Sequence, residues 1–372
     1  MRRQLRSRLS TIIPPADMPE FSIGVYRPMR TFLSLLLALV LPLTLLSGCG
    51  DRGNSGDDSE IIEFEAQTWT LSFSGAERSG EGSAARYFAD AIYEATNGAV
   101  TVTLHPFDGL TDGDPQAGFR GVADGSISLG LYSSLTCEQQ DSRLGAVSLP
   151  FLFSSSEDAA ARLDGDAGDA LGEVLAEYGL HSLGIGESGF RCPTNSLSPI
   201  TSPADLRGRK LRVTDSPLIQ EAYRLWGADC ITANWPLVFT ALRTGTYDGQ
   251  EEFLVTADAA SVQSVQKYLT RWTGIYGCLY FFMNEELYSS LSPALQSIVD
   301  RCGRDAAAYQ RQQHLQEEAD LLSQWAKAKV TVTELTAEET AAFRQAAQPC
   351  YDRFARDYPE LSARLVPETE TP

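Results

Sequence analysis

The chain has 372 residues and a formal net charge of −19, from 49 acidic against 30 basic side chains. Such an acidic surface repels nucleic acid and anionic lipid and argues against a polyanionic partner. An anionic small molecule would need a local basic pocket, which draws attention to arginines that point inward.

The first 48 residues read as a leader outside the fold. Arg27 and Arg30 precede the apolar run Phe32–Leu46, whose 15 residues suit a signal sequence and fall short of the roughly 20 that span a bilayer. The run ends at Leu46-Ser47-Gly48-Cys49, which resembles a bacterial lipobox and marks Cys49 for lipid attachment. Met29 is a candidate true start. The leader carries six arginines and two acids, so a cut before Cys49 deepens the net charge to −23. Residues 49–67 are rich in Gly, Asp and Ser and read as a flexible tether. These features place the chain in the periplasm or otherwise outside the cytoplasm, held to the membrane by lipid at Cys49. The remaining residues, about 305, can bury a sizeable core and divide into two domains.

Trp69–Phe73 alternates as a strand, and Ser83 is the expected cap of a helix over Ala84–Asn97, ended by Asn97-Gly98. Val100–His105 is a strand, a short helix spans Pro115–Ala123, and Ile127–Tyr132 is the next strand. This β-α-β-α-β succession predicts an α/β layered domain with a largely parallel sheet. Leu149-Pro150-Phe151-Leu152-Phe153 is an apolar plug, followed by helices near Ser156–Leu163 and Asp166–Tyr178. Leu180–Ile185 and Phe190–Arg191 continue as strand toward a second domain.

Ser202–Val213 packs four cations, Arg207, Arg209, Lys210 and Arg212, into six positions of this acidic chain. Pro203 suits a short helical turn that Gly208 ends, and Lys210–Val213 then alternates with period two. Leu211 and Val213 therefore face a core and Arg212 points the other way. Arg207, Arg209 and Lys210 are expected on a solvated edge. Arg212 stands apart, because a guanidinium on a rigid strand receives a carboxylate through two parallel hydrogen bonds.

Beyond it come a helix over Pro217–Trp226, a strand at Ile231–Ala233 and a helix from Trp235 to Arg243. Asp248–Glu252 reads as a turn leaving the second sheet. Ile275–Met283 is an apolar strand, and Ser292-Pro293 opens a long helix to about Lys327. Val330–Val332 is a last strand, and Thr336-Ala337-Glu338-Glu339 is a capping box before the final helices. Six cysteines besides Cys49 permit disulfides in an exported chain. Cys302–Cys350 is the favoured pair, with buried thiols as the alternative.

Catalysis has little support. The three histidines are scattered, and neither H-E-x-x-H nor G-x-S-x-G occurs. Gly184–Gly189 matches G-x-G-x-x-G, but Phe190-Arg191-Cys192-Pro193 follows where a helix is required. Asp164-Gly165-Asp166 lacks the fifth and sixth residues of a calcium loop, and no C-x-x-C points to zinc. No enzyme activity, metal or cofactor is expected. Binding has more behind it. Arg191 and Arg212 end adjacent segments, Trp235 offers an aromatic wall, and Glu252 and Asp215 supply acceptors for ligand hydroxyls or an amine. Together they describe a cleft between two domains.

The ordered blocks Leu149–Phe153, Gly189-Phe190-Arg191, Pro203–Val213, Ala241–Glu251 and Val265–Leu269 resemble the extracytoplasmic solute receptors of TRAP transporters, the tripartite ATP-independent periplasmic systems. The resemblance runs from about Trp69 to Tyr358. It implies a two-domain periplasmic-binding-protein-like α/β fold, hinged around a cleft, with a long helix spanning both domains. Domain I is then 68–188 with 278–317, and domain II is 189–277 with 318–372. It implies that Arg212 holds the carboxylate of a small organic acid, with Arg191 as a second basic contact and Trp235 as the aromatic. Glu252 stands where the family commonly has an asparagine, and Tyr132–Ser133 lacks the acid of sialic-acid receptors, which argues against sialic acid. The implied partners are TRAP membrane subunits. The alternative is an exported ligand-sensing lipoprotein that presents a ligand-dependent surface to another protein.

Overall fold

The computed structural model describes residues 63–367. The leader, Cys49 and the tether up to residue 62 lie outside the described residues. Among the described residues ten strands form: β1 Gln67–Phe73, β2 Val100–His105, β3 Leu129–Ser133, β4 Leu180–Asn195, β5 Lys210–Arg212, β6 Asp229–Ile231, β7 Gly249–Phe253, β8 Tyr268–Arg271, β9 Tyr276–Asn284 and β10 Thr331–Glu334. Their order is β2-β1-β3-β9-β4-β7-β5-β6, with β8 joining β4 to β10.

The crossover helices make β1 parallel to β2 and β3, and β5 parallel to β6 and β7. At the junction the direction reverses. β9 runs antiparallel to β3 and β4, and β7 antiparallel to β4. The three strands of the β-α-β-α-β stretch are parallel, as that succession predicts, and the antiparallel pairs at the junction make the whole sheet mixed. The reason is that β4 carries the chain out of the first sheet and β9 brings it back, so the neighbours run in opposite directions. The 16 residues of β4 pair with β9 through Phe190 and with β7 from Arg191 onward, and so belong to both sheets.

The Pro293–Lys327 helix lies across β4. Ser292 caps it by accepting from Leu295 N–H, with Pro293 in the first turn. Gln310 bonds both backbone groups of Glu187, accepting from its N–H at 2.7 Å and donating to its carbonyl at 2.8 Å. A Cβ on Gly186 would meet Gln310 Oε1 at 2.7 Å, and one on Gly189 (φ +89°) would meet His314 Nε2 at 2.5 Å. The glycine pattern of 184–189 thus serves helix-on-strand packing, and no phosphate cradle is built there. Burial lowers His314 to a pKa of about 4, which keeps that packed imidazole neutral.

Early in the helix, Val299, Cys302 and Ala306 join a hydrophobic cluster with Phe88 of the Gly80–Ala95 helix and Phe281 of β9. Its last turns carry Leu321 and Trp325 into a separate cluster with Val238, Leu242 and Leu254. Trp325 Nε1 donates to Asp258 Oδ1 at 2.8 Å. A third, larger cluster holds the 149–153 plug, whose apolar side chains are buried. Phe151, Trp226, Trp272 and Phe343 meet there with ring centroids 5.1–6.5 Å apart.

Several expectations change. The first helix begins at Gly80, capped by Ser79, whose hydroxyl accepts from Gly82 N–H; Ser83 sits inside the helix and donates to Gly80 O. Asp248–Glu252 is no turn, because Gly249–Phe253 forms β7 between β4 and β5. Arg209 is buried, donating to Asn195 Oδ1 at 2.8 Å and Ser198 Oγ at 2.7 Å, so it ties a loop down and does not line a solvated edge. Cys302 and Cys350 are free thiols in different clusters, so the favoured disulfide is absent. Among the described residues no helix is long and apolar enough to cross a membrane.

Candidate ligand-binding site

The site grows from the order Ser202–Val213 imposes. Ser202 and Asp205 form a capping box around the Pro203–Leu206 turn, and Gly208 (φ +70°) releases the chain into β5. Leu211 and Val213 are fully buried, as the alternation requires. Arg212 takes the other direction and is 6% exposed. Its guanidinium carbon lies 5.1 Å from the Trp235 ring, at the first residue of the Trp235–Arg243 helix. Nη1 donates to Glu252 Oε2 at 3.2 Å, and Nε makes a long bond of 3.4 Å to Ala233 O. The remaining N–H donors of Arg212 meet no acceptor among the described residues.

Arg191 sits on β4 beside β7 and is 1% exposed. It donates from Nε to Glu251 Oε2 at 2.5 Å and from Nη2 to Glu251 Oε1 at 3.2 Å, and Nη2 lies 2.9 Å from Glu252 Oε1. Its guanidinium packs 4.5 Å from the Phe253 ring. Burial works against the charged guanidinium, but Glu251 and Glu252 outweigh it and hold Arg191 above the ordinary arginine value. Burial pushes Glu251 upward and Arg191 pulls it back; with Thr214 N–H also donating to Oε1 at 2.7 Å, this carboxylate is fully engaged. Trp272 Nε1 donates to Arg191 O at 2.8 Å, which anchors the cluster to the aromatic core.

The structure therefore brings Arg191, Arg212, Trp235 and Glu252 into one contact set. Asp215 lies three residues past Arg212, is exposed, and accepts from Gln220 Nε2 at 3.2 Å. Tyr132 and Ser133 are on the first sheet. Tyr132 is buried against Phe282, and Ser133 caps the Ser134–Glu138 helix. Three participants escaped the sequence reading. Glu251 and Phe253 did so because β7 was taken for a turn; the strand–helix–strand spacing around Trp235–Arg243 was the available signal. Glu138 gave no signal. It comes from the first sheet's side and accepts from Ser216 Oγ at 2.9 Å, and burial lifts it to a pKa of about 7, with Asp215 adding to the rise and Arg191 opposing it.

Concavity alone does not pick this place out. A groove of about 530 Å³ lined by Gly168, Gly172, His181 and Arg304 shares no residue with the arginine cluster.

A mixed α/β chain with one strand shared by two sheets and a long helix over it is similar in fold to solved periplasmic solute receptors. The chain belongs to the bacterial extracellular solute-binding protein family 7 (DctP), whose profile matches residues 71–357, and is thus of the TRAP-transporter receptor type. It is 30% identical over 296 residues to the 2,3-diketo-L-gulonate-binding periplasmic protein YiaO of Escherichia coli, spanning 79% of this chain and 89% of that one. A TRAP periplasmic solute-binding protein from Ochrobactrum anthropi, with its C-terminus bound in its ligand pocket, superposes with a TM-score of 0.76 at 29% identity, covering 81% of this chain and 95% of its own. Another from Ralstonia eutropha, with bound (S)-2-acetolactate, gives a TM-score of 0.71 at 29% identity over 80% of this chain and 97% of its own. Family members are solute-binding receptors of the periplasm, not enzymes.

Proposed function

We propose that this chain is a lipid-anchored extracytoplasmic receptor that captures a small organic acid and delivers it to TRAP membrane subunits. The observation that carries the reading is Arg212, a guanidinium on a strand end, shielded from water, backed by Trp235 and left with donors for a carboxylate. The relative named for diketogulonate binding and the solved structure with bound acetolactate support an acid as the ligand class. In this reading the lobes are 68–188 with 278–317 and 189–277 with 318–372, and β4 is the strand about which they hinge. Arg212 grips the carboxylate, and Arg191 acts beside it through Glu252. Trp235, Asp215, Tyr132 and Ser133 line the cleft, and Cys49 carries the lipid.

The test is a thermal-shift screen of organic acids on the mature chain. A ligand at about 100 times its dissociation constant adds about 2.7 kcal/mol and raises the midpoint by a few degrees. Arg212→Ala should erase that shift; an unchanged affinity in this variant removes Arg212 from the site. For the anchor, Cys49→Ser should move the chain from the membrane fraction to the soluble fraction.

A further inference from the structure

The arginine cluster of this chain is already charge-balanced by its own carboxylates. Glu251 is engaged inside the fold by Arg191 and Thr214 N–H. Glu252 then sits between both guanidiniums, 2.9 Å from Arg191 Nη2 and 3.2 Å from Arg212 Nη1. Two cations face two anions. A carboxylate arriving alone must approach Arg212 past an anion already seated on it, and like charges at such range repel. Nor is the set closed. Arg191 Nη1 is buried and has no acceptor among the described residues. The surroundings add negative rather than positive charge, since Glu138 lies within electrostatic reach of both Arg191 and Asp215.

We infer that this site takes a zwitterion, a small acid that also bears an ammonium or quaternary ammonium group, and that Glu252 sets that choice. The inference rests on the receptor reading above. On binding, Glu252 turns from Arg212 to the ligand's cationic group, and the freed fork of Arg212 takes the ligand's carboxylate. Every charge leaves that exchange with a partner. Trp235, already stacked under one cation, offers its ring face to a second. A des-amino acid breaks the exchange, because Glu252 would face a second carboxylate while Arg191 is already shared with Glu251. An uncharged residue at 252 would impose no such demand, so the selectivity belongs to this one side chain.

The experiment is calorimetric titration of the purified mature chain with matched pairs: aspartate and succinate, glutamate and glutarate, alanine and propionate, glycine betaine and 3,3-dimethylbutyrate. The tightest binder is expected to be the member of its pair that bears the ammonium or quaternary ammonium group, by about tenfold or more. Glu252→Gln should weaken that binder by about tenfold or more and narrow or reverse the preference within the pair. Glu252→Asp, which keeps the charge, should preserve the order. A des-amino acid that binds the unaltered chain as well as its partner overturns the inference, as does a Glu252→Gln variant with an unchanged ratio. If acids of that kind bind and Arg212→Ala still abolishes their binding, the acid-receptor reading stands and only the zwitterion falls. If no member of any pair binds at millimolar concentration while another acid of the thermal-shift screen does, the zwitterion falls and the acid-receptor reading stands; if no acid of either set binds, both fall.

Discussion

Two sets of buried polar side chains occupy the two sheets, and they are completed differently. On the second sheet, Arg191, Arg212, Glu251 and Glu252 are cross-paired. On the first, Asp108 Oδ1, Tyr132 OH, Ser72 Oγ and Ser74 Oγ are buried with no hydrogen-bond partner among the described residues. Burial raises the Asp108 pKa, and the nearby Ser74 hydroxyl and Tyr132 phenol offset part of that rise without reaching hydrogen-bond geometry. The contrast follows from cost. An unpaired buried charge is too expensive to keep, so the fold supplies counter-charges on the spot. An unsatisfied hydroxyl costs about 1–3 kcal/mol, which a fold can tolerate, and burial favours the neutral form of Asp108, so that carboxyl too stands without a counter-charge. Ser72 on β1 and Tyr132 on β3 also stand toward the carboxyl ends of parallel strands, where open α/β sheets bind ligands.

The largest effect should come from breaking the paired set. Arg191→Ala leaves Glu251 buried without its cation and should destabilise the chain by about 3–5 kcal/mol, read as a lower denaturant midpoint. A loss well below 1 kcal/mol would show that the pairing does not hold β4 to β7. Arg212→Ala sharpens the comparison from the other side. It removes the less buried cation, so its effect should appear in ligand affinity, about 2–5 kcal/mol by titration calorimetry, with a smaller change in stability than Arg191→Ala.

Glu187 is an intermediate case, a carboxyl with Ser156 Oγ donating to Oε1 at 2.6 Å while Oε2 is buried without a partner. Burial lifts it from 4.5 to about 7, with Ser156 partly opposing. Because the folded value lies above the unfolded one, the native state binds more protons between them. Its contribution is complete below about pH 4.5 and is lost as pH rises through about 7. Glu187→Gln should flatten the fall in stability over that window by about 1–3 kcal/mol, measured as denaturant midpoints at pH 5 and pH 8. An unchanged slope excludes Glu187 as a source. The smallest effect belongs to the unpaired set. Tyr132→Phe deletes a hydroxyl that has no partner and should leave stability within about 1 kcal/mol. A larger loss would mean that this hydroxyl is satisfied after all and the contrast between the sheets is false.

Much of the layout was legible along the chain. Pro293 behind Ser292 marked the long helix, Thr336 and Glu339 marked a capping box, and Leu211–Val213 showed by alternation which way Arg212 must point. Glu251 and Glu252 were not legible as counter-ions. Two adjacent acids after Asp248-Gly249 have the composition of a turn, and only pairing with β4 and β5 makes them a strand. Arg209 was misplaced for a similar reason. Its partners Asn195 and Ser198 come from the end of another strand and the loop after it.

Local chemistry within a few residues, meaning caps, alternation and glycine breaks, determined from the sequence alone the α/β elements and that Arg212 turns away from the core, while the order of the blocks carried the resemblance to TRAP solute receptors. Which charges neutralise one another was decided only in the tertiary structure. Arg191 meets Glu251 across 60 positions and Arg212 meets Glu252 across 40. Electrostatic energy depends on distance through space, and separation along a chain does not report that distance until β4, β5 and β7 are laid side by side.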